Sequence, residues 1–392
     1  MRERFLSFSP PMIGDEEIAE VVASLRSDWL TTGPRVRSFE EQFAAFVGAP
    51  SAVALNSATA AMHVALAVLG IGPGDEVITT TMTFCSSVHV IEHMGARPVL
   101  VDVEPDTLNI DPERIRAAIT PRTRAILPVH LYGHPVDMDA VLAIAREHGL
   151  AVVEDAAHAL PASHRGRMVG APAEGVRNLA AFSFYATKNL TTGEGGMLTG
   201  PPELLAEART WALHGMSRDA YRRYEADGSW RYDVVLPGFK YNMADLQAAI
   251  GLVQLRRLPE LQRRRREIVS CYDRAFGALP EVQIPSVRPE VESAHHLYVL
   301  RLRLDRLAID RSGLIRELTA RRIGSSVHFI PIHHHTYYRE RYRHPAGSFP
   351  VADREFERIV SLPLSPRLSD RDVEDVIGAV SEIVERSRRE DA

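Results

Sequence analysis

Short apolar segments alternate with amphipathic stretches through the first half of the chain. From about residue 50 to 200, seven runs of β-branched or apolar residues are separated by stretches with helical periodicity. The runs are Ala52–Leu55, Glu76–Thr80, Pro98–Val103, Ala125–His130, Ala151–Glu154, Ala180–Phe184 and Gly196–Thr199. Strands that alternate with helices pair in parallel and are covered by helices on both faces. We therefore predict an α/β fold with a mostly parallel seven-stranded sheet.

Residues at the ends of the helical stretches indicate where these helices begin and end. The stretch from Asp137 to Gly149 has acidic residues in its first turn and a glycine at its end. The segment Gly70-Ile-Gly72-Pro-Gly74 follows a helical stretch rather than a strand, so it lacks the context of a dinucleotide-binding turn. We predict that this segment is a loop.

The pattern changes after about residue 250. A long charged helix is predicted over Leu255–Tyr272, a strand over His296–Leu302, and a closing amphipathic helix from Asp370. A chain of 392 residues is also long for a single core. We predict a large domain, residues 13–250, and a smaller C-terminal α+β domain, residues 251–392, on which residues 1–12 could pack.

Composition narrows the class of partner. The chain has 46 basic and 51 acidic residues and a net charge of −5, which gives no field that attracts nucleic acid or anionic lipid. We find no run of about eighteen uncharged apolar residues and no signal-like N-terminus. The two cysteines, Cys85 and Cys271, are too few for a disulfide framework and lack metal-binding spacing. We expect small-molecule substrates, no nucleic-acid or membrane partner, and a reducing cytoplasm.

Lys188 and Asp155 have the surroundings expected of a pyridoxal phosphate site. Lys188 precedes Asn-Leu-Thr-Thr-Gly-Glu-Gly-Gly, and Asp155 follows the apolar run of the fifth predicted strand. The cofactor needs a lysine to bind its aldehyde and a carboxylate to keep its pyridine nitrogen protonated. A surface lysine and a capping aspartate are the alternatives, but an unused charge at a buried strand end is costly. Thr83 and Ser183 also fall at strand ends, where ligands of parallel sheets gather.

Two further candidates have equally simple structural explanations. Asn56-Ser57-Ala58-Thr59 opens a helix directly after a strand, where backbone amides attract phosphate, and a plain N-cap accounts for the same composition. His158, which ends Glu-Asp-Ala-Ala-His, either contacts a cofactor or is a satisfied structural histidine. The residues alone leave both questions open.

A histidine-rich tract contains His328 and then His333, His334 and His335. Adjacent histidines rarely direct both rings at one ion, and no carboxylate pattern accompanies this tract in the sequence. We therefore expect no metal site.

Four motifs together resemble the DegT/StrS-type nucleotide-sugar aminotransferases, over nearly the whole chain. They are Trp29-Leu-Thr-Thr-Gly33-Pro, Glu154-Asp-Ala-Ala-His158-Ala, Phe182-Ser-Phe-Tyr-Ala-Thr-Lys188-Asn with its Gly-Glu-Gly-Gly, and Gly238-Phe-Lys-Tyr-Asn-Met-Ala-Asp-Leu-Gln-Ala-Ala. Within the family, the chain is similar to the branch typified by UDP-4-amino-4-deoxy-L-arabinose aminotransferase. His158, the Lys240-Tyr-Asn242 order and Tyr337-Tyr-Arg-Glu-Arg-Tyr support that similarity.

The resemblance implies a fold-type I pyridoxal phosphate-dependent transferase that acts as a homodimer with shared active sites. It implies transfer of an amino group from L-glutamate, released as 2-oxoglutarate, to a nucleotide-linked keto sugar, at C4 in this branch. The implied catalytic residues are Lys188 as Schiff-base lysine and proton shuttle, Asp155 at the pyridine nitrogen, and His158 near the ring hydroxyl. The other implied cofactor-binding residues are Ala58, Thr59 and Ser183 at the phosphate, Phe84 on the ring, and Lys240 or Asn242 from the other subunit.

Three positions depart from that branch. Phe84 stands where tryptophan is frequent, Tyr185 where histidine is common, and Ile330 where arginine is found. Ring stacking, sugar fit and recognition of the donor carboxylate could therefore differ. Two alternative functions use the same fold: a pyridoxal phosphate-dependent sugar dehydratase, whose members replace the lysine by histidine, and a non-catalytic regulatory protein.

Overall fold

A central seven-stranded sheet organises the larger part of the computed structural model, which describes residues 2–217 and 231–389. The strand order is β1-β9-β8-β5-β4-β2-β3. The strands are β1 (Ala52–Leu55), β2 (Glu76–Thr80), β3 (Arg97–Val101), β4 (Thr123–Leu127), β5 (Ala151–Asp155), β8 (Asn178–Ser183) and β9 (Gly196–Thr199). Only β9 runs against the others, because it is antiparallel to both β1 and β8. The α/β fold and the mostly parallel seven-stranded sheet are confirmed.

Helices cover both faces of this sheet. They are α2 (Pro34–Val47), α3 (Ala58–Val68), α4 (Ser86–His93), α5 (Pro112–Ala118), α6 (Met138–His148) and α7 (Pro202–Ala212). Helix α1 (Asp15–Leu25) packs instead on the long helix Asp245–Phe276, and a 3₁₀ turn lies over Leu131–Gly133. Adjacent residues of β2 therefore pack against different helices. Val77 packs with α3 and α4 on one face, and Ile78 packs with α5 and α6 on the other. Both side chains are fully buried, as a sheet covered on two faces requires.

The helix predicted after Asp137 begins and ends as its sequence indicates. The Asp137 carboxylate accepts a hydrogen bond from the Ala140 amide at 3.1 Å, and Gly149 ends α6 with a φ of 66°. A left-handed residue at this position favours glycine. The predicted loop Gly70–Gly74 connects α3 to β2.

The C-terminal part of the chain builds a second core. Its elements are α8 (Asp245–Phe276), β10 (Val282–Gln283), β12 (Tyr298–Leu302), α9 (Arg311–Ala320), a 3₁₀ turn (Ile332–His334), α10 (Thr336–Tyr342), α11 (Pro350–Arg358), β13 (Ile359–Leu362) and α12 (Asp370–Arg386). β10, β12 and β13 form a three-stranded antiparallel sheet. A third, small sheet joins β6 (Ser163–His164) and β7 (Arg167–Met168) to β11 (Val291–Glu292).

Helix α8 belongs to both cores. Its Leu258 packs beneath the large sheet, whereas its Ile268 and Phe276 pack in the C-terminal core, to which Leu6 also contributes. The proposed division between residues 250 and 251 therefore falls inside a continuous helix, and the domain bounds stay a prediction. No helix of the described ranges combines the length and apolar character needed to cross a bilayer.

Candidate active site

A cavity of about 500 Å³ opens at the carboxyl edge of the large sheet. Parallel strands deliver their last residues to this edge, because β5 ends at Asp155, β8 ends at Ser183 and the chain leaves β2 toward Phe84. The cavity is lined by seven of the nine residues to which the family resemblance gives a role: Ala58, Thr59, Phe84, Asp155, His158, Ser183 and Lys188. Residues from distant parts of the sequence thus converge on one crevice.

Lys188 projects from a closed loop between β8 and β9. The loop is held by hydrogen bonds from the Phe184 amide to the Gly195 carbonyl, at 2.8 Å, and from the Thr192 amide to the Phe184 carbonyl, at 2.9 Å. Protein encloses the amine, and this burial lowers the pKa of Lys188 to about 8, although the Asp155 carboxylate acts in the opposite direction. An amine with this pKa exchanges protons readily near neutral pH.

Asp155 is buried, and its carboxylate is oriented by two donors. The Ser87 hydroxyl donates to Oδ2 at 2.7 Å, and the Ala157 amide donates to Oδ1 at 3.1 Å. The Ser87 hydroxyl donates its only proton to Asp155. The Thr83 hydroxyl oxygen lies 2.9 Å from the Ser87 hydroxyl oxygen and is therefore the donor in the hydrogen bond between them. Ser87 was not identified from the sequence, where only its place after β2 and at the start of α4 set it apart.

His158 lies against the cavity with its ring uncharged. The Tyr132 amide donates to Nδ1 at 3.3 Å, so the proton of the neutral ring belongs on Nε2. Burial, together with the charge of Lys188, holds the pKa of His158 well below its usual value. Phe329 stacks near the ring with centroids 5.8 Å apart.

A second histidine, His296, packs on His158 with ring centroids 4.4 Å apart. Its Nδ1 lies 3.0 Å from Oδ1 of Asn189, the residue after Lys188. The Asn189 amide nitrogen donates to the Ala294 carbonyl at 2.7 Å, which orients the amide and makes Nδ1 of His296 the donor. Burial keeps the pKa of His296 well below its usual value. Sequence reasoning missed this residue, which carried no signal beyond its position before β12.

His328 completes a ring of histidines around the lysine. Burial and the Lys188 charge lower the pKa of His328 to about 4, and its Nδ1 lies 2.8 Å from the Ser361 hydroxyl. These three uncharged rings surround a single enclosed amine. The inner wall of the site therefore combines Lys188 and Asp155 with three neutral imidazoles, and the carboxylate of Glu194 lines the cavity at an exposed position.

The start of helix α3 offers donors to an anion. Ser57 caps the helix by accepting from the Ala60 amide at 3.0 Å, which confirms an N-cap. Within the described residues, the amides of Ala58 and Thr59 have no acceptor, as expected at a helix N-terminus. A phosphate group would satisfy these amides, so the cap and the anion site coexist.

Lys240 and Asn242 lie outside the cavity lining of their own chain. Lys240 donates a hydrogen bond to Oδ1 of Asn242, and the Asn242 amide nitrogen donates to the Thr32 hydroxyl at 2.7 Å. Asn242 bridges to Leu55, the last residue of β1. Both residues are therefore near the sheet edge without facing Lys188 of the same chain.

The histidine tract has a carboxylate that the sequence did not indicate. Asp353 of α11 accepts hydrogen bonds from Nε2 of both His333 and His334 at 2.8 Å. No local carboxylate pattern shows this partner, because Asp353 lies 19 residues after His334 and reaches it only when the chain folds back. The tract lies apart from the cavity, which only His328 of the four histidines lines.

The site fits pyridoxal phosphate on three independent features. Lys188 supplies an enclosed amine for the aldehyde, Asp155 supplies a fixed buried carboxylate for the pyridine nitrogen, and the Ala58 and Thr59 amides supply free donors for the phosphate.

The chain is similar in sequence to known proteins over nearly its whole length. The sequence profile of the DegT/DnrJ/EryC1/StrS aminotransferase family matches residues 11–381. The spore coat polysaccharide biosynthesis protein SpsC of Bacillus subtilis is 52% identical over 385 residues, which cover 98% of each chain.

Solved structures extend the agreement to the fold and the cofactor. Spr1654 of Streptococcus pneumoniae, solved in its PLP form, is 37% identical with a TM-score of 0.89 and coverage of 97% of this chain and 99% of that one. The sugar aminotransferase CalS13 of Micromonospora echinospora is 31% identical with a TM-score of 0.85 and coverage of 96% and 99%. The chain therefore belongs to the DegT/DnrJ/EryC1/StrS aminotransferase family and is a pyridoxal phosphate-dependent sugar aminotransferase.

Proposed function

We propose that the protein moves an amino group from L-glutamate to C4 of a nucleotide-linked keto sugar, like the UDP-4-amino-4-deoxy-L-arabinose aminotransferase branch. The proposal rests on one observation: the amine of Lys188 and the carboxylate of Asp155, which is held in a fixed orientation, line the same cavity. The name of SpsC assigns that relative to polysaccharide biosynthesis, which supports a sugar as the acceptor.

The residue roles are part of the proposal. Lys188 would bind the cofactor and carry the proton between the donor's α-carbon and the acceptor carbon. Asp155 would hold the proton on the pyridine nitrogen, because its two donors fix the carboxylate in place. When bound, pyridoxal phosphate supplies an electron sink for the carbanion left by loss of that α-proton. Ping-pong kinetics should result, since donor and acceptor use the same cavity in turn.

The remaining site residues would position the cofactor and shield it. Ala58, Thr59 and Ser183 would hold the phosphate, and the Nε2–H of His158 would face the ring hydroxyl. Phe84 is 56% exposed, and its ring centroid lies 5.9 Å from that of Phe329. One face of the Phe84 ring is therefore available to stack on a cofactor ring bound above Lys188.

A homodimer with shared sites is also part of the proposal. Lys240 and Asn242 do not line their own chain's cavity, so they are available to a partner's cavity. Exposed apolar side chains near the site support pairing with a second copy: Ile13, Ile18, Val22, Phe84 and Tyr185. No arginine of the described ranges lines the cavity, so Lys240 from the partner subunit is our candidate cation for a donor carboxylate.

A substrate panel tests the proposal. Purified protein is incubated with L-glutamate and nucleotide-linked 3-keto or 4-keto sugars that carry UDP, dTDP or GDP, and the products are weighed by mass spectrometry. We expect an amino sugar and 2-oxoglutarate from a 4-keto substrate, and no product from Lys188→Ala. Amination only at C3, or product formation by Lys188→Ala, would overturn the corresponding part of the proposal.

The two alternatives predict different results in the same panel. A dehydratase would release water from the sugar without consuming glutamate, and Lys188 argues against it because such members carry histidine there. A non-catalytic protein would stay colourless after addition of the cofactor. We also propose a cytoplasmic location for this enzyme.

A further inference from the structure

We propose that His333, His334 and Asp353 form a binding site for a divalent transition metal, with Zn²⁺ as the preferred ion. The three side chains come from the 3₁₀ turn Ile332–His334 and from α11. One ligand atom from each of them lies within 4.8 Å of the others. This site is separate from the cavity that contains Lys188.

The two histidine rings converge although they are neighbours in sequence. Their planes are 74° apart with centroids at 4.4 Å, and each Nε2 lies 2.8 Å from the same Asp353 oxygen. A 3₁₀ turn by itself separates adjacent side chains by about 120°, so the contact that the two rings share is the Asp353 oxygen. If an ion replaced the protons on the two Nε2 atoms, both nitrogens and the Asp353 oxygen could bind it.

The ligand set selects the ion. Two imidazole nitrogens and one carboxylate oxygen suit Zn²⁺, Co²⁺ or Ni²⁺, whereas Mg²⁺ and Ca²⁺ prefer sites made of oxygen. Three protein ligands leave a fourth position of a tetrahedron for water. Side chains of His334 and Asp353 are 35% and 38% exposed, so an ion can enter from solvent.

Surrounding contacts favour this role. Thr81 places its hydroxyl 2.7 Å from Nδ1 of His333, and a hydroxyl can accept from that nitrogen once Nε2 is bound to an ion. Metal-ligating histidines usually have such a partner on the other nitrogen. Phe349 packs on the His333 ring at 4.5 Å and Phe356 on the His334 ring at 5.4 Å, which restricts both imidazoles.

The charge of Asp353 is available to an ion. In the described part of the chain, its ion-pair partners are these two histidines, and no arginine or lysine bridges to it. Its neighbour Arg354 pairs with Glu355 instead. A bound ion would therefore not compete with a guanidinium group.

Calorimetric titration of the chelator-treated holoprotein with ZnCl₂ tests the site. We expect one saturable equivalent in the wild type, a similar equivalent with Co²⁺, and no binding of Mg²⁺ at the same concentration. Asp353→Asn and His334→Ala should each weaken Zn²⁺ binding by at least about tenfold, and Thr81→Val by a smaller factor. The visible absorbance of the bound cofactor should not change, which separates this site from the cavity.

The other His and Asp cluster provides the matched control. Asp139 lies in a group with Asp137 and His164, and Asp139→Asn should leave Zn²⁺ binding unchanged. Absence of saturable binding, or wild-type binding by both Asp353→Asn and His334→Ala, would show that the three side chains only hydrogen-bond to each other. Loss of binding in Asp139→Asn alone would assign the ion to the other cluster. Thermal melting without metal verifies that each variant is folded.

Discussion

The carboxylate of Asp155 can lose one of its donors without a change in the charge of the site. We predict that Ser87→Ala lowers kcat by roughly tenfold, because only the Ala157 amide then orients the carboxylate. Asp155→Asn should lower kcat by at least about a hundredfold, since an amide is a poor partner for a protonated pyridine nitrogen. Steady-state kinetics measure both effects.

Loss of another buried hydroxyl provides the control for Ser87→Ala. Thr79 of β2 donates to the Leu127 carbonyl at 2.7 Å and lies outside the cavity lining. Thr79→Val should lower the melting temperature while kcat stays near the wild-type value. Similar kcat values for Ser87→Ala and the wild type would contradict the role given to Ser87.

His296 connects the loop of Lys188 to the ring of His158. We predict that His296 carries its proton on Nδ1 and His158 on Nε2, because their partners are the Asn189 carbonyl oxygen and the Tyr132 amide. Nitrogen chemical shifts of labelled histidines distinguish these tautomers. Asn189→Leu removes the acceptor, so His296 should lose its single tautomer and kcat should fall by roughly tenfold.

His63, which lies outside the cavity, serves as a control for the predicted tautomers of His158 and His296. The ring of His63 is buried and lies 3.3 Å from the Tyr241 hydroxyl. His63→Phe should leave the signals of His158 and His296 unchanged. If Asn189→Leu leaves the His296 signal unchanged as well, the amide does not set its tautomer.

The sequence singles out Lys188 and Asp155, which line one cavity, but not the residues that support them. The two stand out because their flanking residues are unusual for a surface lysine and a buried acid. Ser87 and His296 were not found, because their partners lie 68 and 107 residues away in the chain. A hydrogen bond between such distant residues depends on strand order, which local pattern does not specify.

At the scale of elements, the contact between β9 and the start of α3 depends on Gly196. A Cβ atom at residue 196 would lie 2.3 Å from the Ser57 carbonyl carbon and 2.6 Å from the Ala58 nitrogen. We predict that Gly196→Ala destabilises the protein by about 1–3 kcal/mol, because the backbone of α3 must shift. The same shift should weaken cofactor binding by roughly tenfold, since it moves the amides proposed to hold the phosphate.

Gly378 of α12 is the matched glycine. A Cβ at residue 378 meets no atom within 4 Å, so Gly378→Ala should stabilise the helix by about 0.5–1 kcal/mol and leave cofactor affinity unchanged. Urea denaturation and cofactor titration measure both variants. Equal cofactor affinity in the two variants would show that the β9 contact does not position the phosphate site.

Elements with simple patterns were predicted well, and the long helix was not. The seven strands agree to within a few residues, because buried runs between turns have few other structures available. Helix α8 begins at Asp245 rather than Leu255, since its first turns are defined by tertiary contacts. There, Asp245 accepts from the Gly33 and Val36 amides, and buried Gln254 bonds to Glu17. Buried polar residues of this kind obscure helical periodicity.

At the scale of the whole molecule, the cavity joins both cores. Its walls come from the large sheet and from His296 and Phe329 of the C-terminal part. Buried Arg265 of α8 reaches the His296 carbonyl at 3.4 Å and the Leu364 carbonyl at 3.2 Å. Burial lowers the pKa of this guanidinium to about 10, which leaves it charged at neutral pH. The site therefore depends on correct packing of two cores, and its geometry could not be read from either half of the sequence.

The buried histidines make the stability of the whole molecule sensitive to mild acid. Burial lowers the pKa of His63, His295 and His328 to about 4, and holds the pKa of His158 and His296 well below the usual value. An unfolded histidine binds a proton near pH 6.5. Between pH 6.5 and 4 the unfolded chain therefore binds protons that the native chain does not, so the free energy of unfolding falls as the pH falls.

A single variant isolates one of these contributions. Buried His63 should account for roughly 3 kcal/mol of that loss at most, because each pKa unit corresponds to about 1.4 kcal/mol. We predict that His63→Phe has a shallower decline of the urea midpoint between pH 7.5 and 5 than the wild type. Parallel declines in the two proteins would mean that His63 titrates at its ordinary pKa in the native state, and that its burial does not oppose protonation.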